Sequence, residues 1–447
     1  MLNSIVSFFT ELMRRFLPDP FVFAIGLTLL TMLLSYVVEG LAPIHILESW
    51  GEGFWSLLAF TTQMAVILVM GYVVATAPFV DRMLDKLVSR IKSPRAAVVV
   101  ATVVGGVGCY LNWGFGLVIG GLVARKLAMS IKGVHYPLII AAAYSGFTLY
   151  GFGFSATIPV LISTKGHQLQ EQMGVISLSE TIFSLPMMLT ALIVLITMPI
   201  LNAWLHPKNP DDIVEIDPAC FVDKPHKSEA HHLLAENTFA TRLNNSKILS
   251  YVIGALGIAY LVMFVYKGGS FDLNKINFLL LFLGVLLLRT PAEYMSKLNE
   301  GVKTVSGIIL QFPFYAGIIA MMHASGLVDT ISAAFISIST TQSLPFWGVI
   351  SSFIINFFAP SAGGHWAIQG PFMVEAAREL STSQAQTAMS VMLGNAWNDL
   401  IQPFWILPAL AMSRLKLKDI MGYTVVIMLW VGAIYISSVL IWSYMSH

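Results

Sequence analysis

Apolar residues run along this chain in stretches of 18 or more, the length that spans bilayer hydrocarbon, as in Phe21 to Val38, Tyr251 to Tyr266 with its flanks, and Tyr423 to Tyr444. Full crossings are predicted at about 20–38, 54–77, 136–160, 181–205, 248–266, 273–289, 303–325, 384–410 and 420–443. Two further apolar segments, 96–124 and 345–376, are broken midway by Gly, Pro, Asn or Trp. Each half reads as too short to cross, so both are predicted to be re-entrant hairpins. Ahead of the first crossing, Leu2, Ile5, Val6, Phe9, Leu12, Met13 and Phe16 recur at helical spacing opposite Ser7, Glu11 and Arg14. Residues 1–18 therefore read as an interfacial amphipathic helix ended by Pro18 and Pro20, and no small-residue cleavage site follows it.

The order of elements occurs twice. A shift of 248 pairs Glu52-Gly53 with Glu300-Gly301, Gln63 with Gln311 and Asp81 with Asp329, and a shift of 244 pairs Asn112 with Asn356, Gly120 with Gly364 and Pro159 with Pro403. The expected fold is an all-α polytopic membrane protein with two inverted-topology repeats, each holding a re-entrant helical hairpin and a broken transmembrane helix. The first repeat spans 19–205, with its hairpin at about 96–124 and its broken helix at about 136–160. A polar loop at 206–247 and a linking crossing at 248–266 follow. The second repeat spans 267–447, with its hairpin at about 345–376 and its broken helix at about 384–410.

Composition agrees, at 56% hydrophobic and 11% charged residues where a soluble chain carries about 25% charged. With the N-terminus cytoplasmic, 21 of the 25 lysines and arginines fall on the cytoplasmic side, leaving Lys165, Lys267, Lys275 and Arg378 outside. A net charge of +1 without a basic stripe excludes a nucleic-acid partner. The two cysteines, Cys109 and Cys220, provide no disulfide framework, and His226, His231 and His232 lie in the polar loop without metal-ligand spacing. No phosphate-binding loop is present, so ATP is not the driving force and no cofactor is expected. Gly151-Phe152-Gly153-Phe154-Ser155 follows no strand and has no adjacent histidine base, which argues against a hydrolase.

Candidate chemistry lies at the breaks. The first hairpin turns near Asn112-Trp113-Gly114-Phe115-Gly116, and the second from Asn356 through Ser361, Gly363, Gly364 and His365. A helix restarting at membrane depth turns unpaired N–H groups and a positive dipole end toward the site, which suits an anion. The broken crossings add Ser155 and Thr157, read as hydroxyl donors or caps of the following half-helix, and the amides of Asn395, Asn398 and Gln402. Phe115, Trp113, Phe152, Phe154, Trp366 and Phe404 are candidates to enclose a short alkyl tail. Because no Lys or Arg is expected at midmembrane depth, a small, singly charged acid fits best. Asp399 and His365 are the ionisable residues within the site segments, hence the candidates for coupling to H+ or Na+.

At these residues the chain resembles a known family, the bacterial short-chain fatty acid transporters of the AtoE type. The resemblance rests on Leu17-Pro18-Asp19-Pro20, Trp50-Gly51-Glu52-Gly53-Phe54-Trp55, Asn112-Trp113-Gly114-Phe115-Gly116, Gln311-Phe312-Pro313-Phe314-Tyr315-Ala316-Gly317, Gly363-Gly364-His365-Trp366, Gln369-Gly370-Pro371 and Gln402-Pro403-Phe404-Trp405. It implies uptake of butyrate- or acetoacetate-like monocarboxylates across the bacterial inner membrane. It also implies the ion-transporter superfamily architecture, an elevator-like homodimer in which a transport domain moves against a scaffold. Dicarboxylate relatives carry Ser-Asn-Thr at both tips, where this chain has Leu-Asn-Trp and Pro-Ser-Ala, so Asn112 and Asn356 alone carry over. The alternatives from the residues themselves are an ion-coupled carrier of dicarboxylates or amino acids, and an anion channel.

Overall fold

The structure, a computed structural model, describes residues 20–217, 238–269, 271–303, 305–356, 361–402, 405–406, 409–410 and 413–446. The expected amphipathic helix at 1–18, the histidines 226, 231 and 232, Cys220, Pro403 and Phe404 lie outside them. Every regular element among the described residues is helical. Among the described residues seven helices are long and apolar enough to cross a membrane, and the chain is an all-α polytopic membrane protein.

The first half opens with α1 (Pro20–Val37), α2 (Pro43–Gly53), α3 (Leu58–Ala75) and α4 (Pro78–Val88). Then come the hairpin arms α5 (Pro94–Leu111) and α6 (Trp113–Ser130), followed by α7 (Tyr136–Ser145), a 3-10 turn (Gly146–Phe152) and α8 (Thr157–Ile162). Short α9 (Gln170–Met173) and long α10 (Leu185–Trp204) close the half. After α11 (Phe239–Asn244) and the linking helix α12 (Lys247–Tyr266), the order recurs. It runs α13 (Leu273–Leu288), α14 (Pro291–Val302), α15 (Ser306–Ser325) and α16 (Leu327–Ile338), then α17 (Leu344–Ile355), α18 (Ala362–Glu379), α19 (Gln384–Asn398) and α20 (Leu417–Met445). Prolines open α2, α4, α5 and α14, where the missing N–H is one that a helix start leaves unpaired in any case.

The shift pairs land on matching elements. Glu52-Gly53 ends α2 as Glu300-Gly301 ends α14, and Asp81 and Asp329 each sit in the first turn of a short helix. Each half also grips the other: α1 and α2 pack on α15, and α13 and α14 pack on α3. The hairpins and broken crossings form the body beside this frame, with α19 against the 3-10 turn and α8, and α20 against α7 and α10. Helix α12 stays largely exposed, turning Ile248, Leu256 and Val262 outward as a lipid-facing helix does.

The two arms of the first hairpin are antiparallel. A Cβ on Gly108 would lie 2.9 Å from Cα of Gly116, and one on Gly120 would lie 3.4 Å from Cα of Gly105. A single extended residue, Asn112, reverses the chain between them. The arms are longer than expected, at 18 residues each, and α5 meets the length of a full crossing. Helix formation runs out to Pro94 and Ser130 because both ends continue past the apolar stretch. In the second half the arms are 12 and 18 residues long, and α17 leans mainly on α19.

Part of the polar loop is docked rather than solvated. Val214 donates its N–H to His135 Nδ1 (3.0 Å) and accepts the Tyr136 N–H (2.7 Å), while His135 Nε2 meets the Tyr423 hydroxyl at 2.9 Å. Burial, then the neighbouring His206, pulls the His135 pKa down from 6.5 to about 4. Above pH 6.5 the ring is neutral folded or unfolded. Below it the unfolded chain takes a proton that the folded site resists down to about pH 4, so the docking weakens as pH falls across that window. Limited proteolysis near 213–217 should therefore accelerate between pH 7.5 and 5, and equal cleavage at both would contradict this.

Candidate functional site

The two hairpin tips, the first broken crossing and α15 enclose a small cavity. Trp113 at the start of α6 and Ser361 and Ala362 at the start of α18 face it from the tips. The broken crossing contributes Phe147, Tyr150 and Thr157, and α15 contributes Gly307, Ile308, Gln311 and Phe312. Met64 of α3 and Trp405 complete the wall. The rings interlock: Phe147 stacks on Tyr150 with centroids 4.6 Å apart, and Trp405 meets Trp113 at 5.3 Å and Phe147 at 5.5 Å. The volume is about 30 Å³. A water needs roughly 10–15 Å³ of such space, so the site as it stands holds less than a carboxylic acid would fill. Its polar groups include the Tyr150 phenol, the Gln311 amide, the Thr157 and Ser361 hydroxyls and the indole N–H groups of Trp113 and Trp405, none of them charged.

Beside the cavity lies a buried polar network built from α17, α19 and the first broken crossing. Asn356 Nδ2 donates to Asp399 Oδ1 at 2.7 Å and to Asn398 Oδ1 at 3.1 Å, and Asn395 Nδ2 donates back to Asn356 Oδ1. Gln402 Nε2 donates to the Asn356 carbonyl at 3.0 Å, and Asn398 Nδ2 to that of Phe353 at 2.9 Å. Across the halves, the Tyr150 hydroxyl lies 3.1 Å from Asp399 Oδ2, and the Tyr144 hydroxyl donates to the Asp399 carbonyl. Asp399 is 1% exposed, and its hydrogen-bond partners are amides and phenols. A carboxylate held this way in a low dielectric carries no compensating positive charge.

The matching position in the first half is Ser155, by the same shift of 244 that pairs the two tip asparagines. Ser155 Oγ accepts the Trp113 N–H at 2.8 Å, so in each half this position bonds its own hairpin tip, through a hydroxyl in one and a carboxylate in the other. Ser155 does not cap the following half-helix; α8 starts after Ala156 without a side-chain cap. Asn112 turns its Oδ1 onto the Phe115 N–H (2.9 Å), capping α6. Two N–H groups expected to face an anion are thereby already engaged. Asn112 Nδ2 is buried without a partner among the described residues.

Of the expected site residues, Trp113, Thr157 and Ser361 reach the cavity, while Asn356, Asn395, Asn398, Asp399 and Gln402 gather in the network. Gly114, Gly116, Gly363 and Gly364 serve close packing, against Leu68, Cys109, Phe60 and Tyr315 respectively. His365 stands apart: its Nε2 meets Ser352 Oγ at 3.1 Å and the Gln369 side chain, joining the arms of the second hairpin. The expected aromatic box is mostly made of other rings. Phe152 packs on Tyr435, Phe154 on Tyr110 and Phe183, and Trp366 is buried within the second hairpin. Tyr150, Phe147, Gln311 and Trp405 were not among the expected site residues. The signal for Gln311 was its amide in an apolar helix; Tyr150 is aimed inward by the 3-10 turn, which its glycine-rich surroundings permit.

The sequence matches the family described as "Short chain fatty acid transporter" over residues 1–442. The chain belongs to that family. Provisionally named short-chain fatty acid transporters of Escherichia coli (strain K12) and Haemophilus influenzae (strain ATCC 51907 / DSM 11121 / KW20 / Rd) are 40% and 37% identical to this transporter, each alignment covering 98% of it and 99% of the relative. Among solved structures, its fold is similar to that of the Alcanivorax borkumensis YdaH transporter, reported for its unusual topology (TM-score 0.61, 15% identity, 96% of this chain and 99% of that one). It is also similar to Neisseria gonorrhoeae MtrF, reported as illuminating a class of antimetabolite efflux pumps (TM-score 0.54, 14% identity, 96% and 95%). At those identities the likeness is one of fold. Family and relatives alike make this chain a transporter rather than an enzyme.

Proposed function

We propose that the transporter takes up short-chain monocarboxylates such as butyrate or acetoacetate by alternating access, in symport with a proton carried by Asp399. The observation that carries this reading is a small cavity lined by uncharged donors and aromatic rings, one wall residue of which bonds a buried carboxylate. Helices α6 and α18, 18 residues each, start at the cavity, and their positive dipole ends favour an anion without any cationic side chain. The apolar wall accepts a short alkyl tail, whereas a dicarboxylate would leave a second charge against rings. Two like charges a few ångströms apart in low dielectric repel strongly, so a substrate anion favours the protonated form of Asp399. Asn356 presents an N–H to Asp399 Oδ1, where Na+ would require an oxygen, which favours the proton over sodium.

In this reading the hairpins are re-entrant, the two halves are inverted, and the N-terminus is cytoplasmic in the bacterial inner membrane, as the 21 of 25 cationic residues support. The frame of α1–α3 and α13–α15 is the scaffold of a homodimer, and the hairpin body moves against it. Purified protein in liposomes should give saturable initial uptake of labelled butyrate under an inside-alkaline pH gradient. The rate must exceed that of protein-free liposomes, because the undissociated acid crosses bilayers unaided. A rate set only by a sodium gradient would replace the proton, and non-saturating flux would indicate a channel.

Wall residues should set chain length. Met64→Ala removes about three heavy atoms from the wall and should shift preference from butyrate toward hexanoate. At about 0.8 kcal/mol per buried methylene, two methylenes correspond to roughly a tenfold change in relative competition. An unchanged preference would place the tail elsewhere.

A further inference from the structure

Resting on the proposed site, we infer that Tyr150 is the positioning residue through which protonation of Asp399 is felt in the substrate cavity. Among the cavity's wall residues, Tyr150 is the one that hydrogen-bonds Asp399. Its hydroxyl lies within reach of two acceptors, Asn395 Oδ1 at 2.5 Å and Asp399 Oδ2 at 3.1 Å, yet a phenol has one proton to give. The ring is fixed by stacking on Phe147, at 16° between planes, so the hydroxyl keeps its place and only the hydrogen reorients. The titratable groups facing Asp399 from the elements packed on it are Tyr144 and Tyr150 of the first broken crossing and Tyr435 of α20, and none is a cation. The Tyr144 hydroxyl is committed to the Asp399 carbonyl and that of Tyr435 to the Thr148 carbonyl at 2.9 Å, which leaves Tyr150 as the adjustable donor.

When Asp399 is ionised, the charge-assisted bond is the stronger one, and the Tyr150 hydrogen points at Oδ2. When Asp399 gains a proton on Oδ2, that O–H donates to the Tyr150 oxygen, and the phenolic hydrogen is released toward Asn395 or toward an acceptor in the cavity. A substrate carboxylate is such an acceptor. Proton binding therefore supplies a donor to the substrate as well as removing a repelling charge, and the two ligands bind with positive coupling.

The test is the half-saturation concentration for butyrate exchange, at equal pH on both sides of the vesicle, for wild type, Tyr150→Phe and Asp399→Asn from pH 8 to pH 5.5. Wild type should bind about tenfold more tightly at the acid end, and Asp399→Asn equally tightly at both ends. Tyr150→Phe should bind more weakly than wild type at both ends, with the deficit severalfold larger at pH 5.5 than at pH 8, where the hydrogen is engaged. A purely structural tyrosine would weaken binding equally at both ends, and that result, or a wild-type slope in Tyr150→Phe, overturns the inference while the proposed function stands. A wild type without pH dependence, or Asp399→Asn retaining it, overturns the proton-carrier reading itself. Should Tyr150→Phe fail to fold, 3-fluorotyrosine at position 150, a stronger donor of nearly the same shape, should tighten binding at the acid end alone. Equal binding at both ends again overturns the inference.

Discussion

Asp399→Asn should abolish proton-driven uptake while leaving substrate exchange intact. The amide resembles the protonated carboxyl in shape and neutrality: its oxygen can still accept from Asn356, whose bond to Asp399 spans 2.7 Å, and its NH2, at the place of Oδ2, donates to the Tyr150 oxygen 3.1 Å away as the protonated carboxyl would. A carrier held in the neutral form binds substrate on either side but has no proton to exchange for the gradient. The initial rate under an inside-alkaline gradient should fall at least about tenfold, toward that of protein-free liposomes, a loss of about 1.4 kcal/mol or more from the driven step. Counterflow of labelled against unlabelled butyrate at equal pH should remain within about threefold of wild type. Loss of both activities would make Asp399 a structural residue, and retention of gradient-driven uptake would remove it from coupling.

Gly116→Val should cost more stability than any substitution on the cavity wall. Gly116 lies at the closest approach of α5 and α6, and a Cβ there would fall within the backbone and Sγ of Cys109. Backbone cannot yield as a flexible side chain does, so the arms must separate and the tip they support must move. Overpacking of this kind typically costs about 1–3 kcal/mol, and a clash with main chain belongs at the upper end. The measurable outcome is a lower melting temperature in detergent together with lost folded yield. A melting temperature within a degree of wild type would contradict the antiparallel packing of the first hairpin.

Much of the fold was legible because the bilayer imposes a simple rule: apolar stretches of spanning length, glycines where arms meet, and an element order that repeats. The register of 244 was enough to equate Asn112 with Asn356, and the same register sets Ser155 opposite Asp399. Less visible were features that depend on backbone geometry rather than composition. The hairpin arms extend past the apolar stretch to Pro94, where the Ser93 side chain caps the helix start, and to Ser130. Asn112 reads from sequence as a site residue at the tip; its extended backbone and the nearby Phe115 N–H make it a cap. Tyr150 sits in an apolar run where a tyrosine ordinarily packs. Only the 3-10 turn brings its hydroxyl to Asp399, across 249 residues of chain.

The substrate is proposed to sit between the two hairpin tips and against Tyr150. A structure determined with 4-bromobutyrate, using the anomalous signal of bromine, tests this position most directly. A single bromine peak is expected within the wall formed by Met64, Trp113, Phe147, Gln311, Ser361 and Trp405, with the carboxylate toward Tyr150. A peak in the outer groove between α10 and α20, lined by Leu189, Trp430 and Trp442, would contradict it, provided the same compound competes with butyrate for transport.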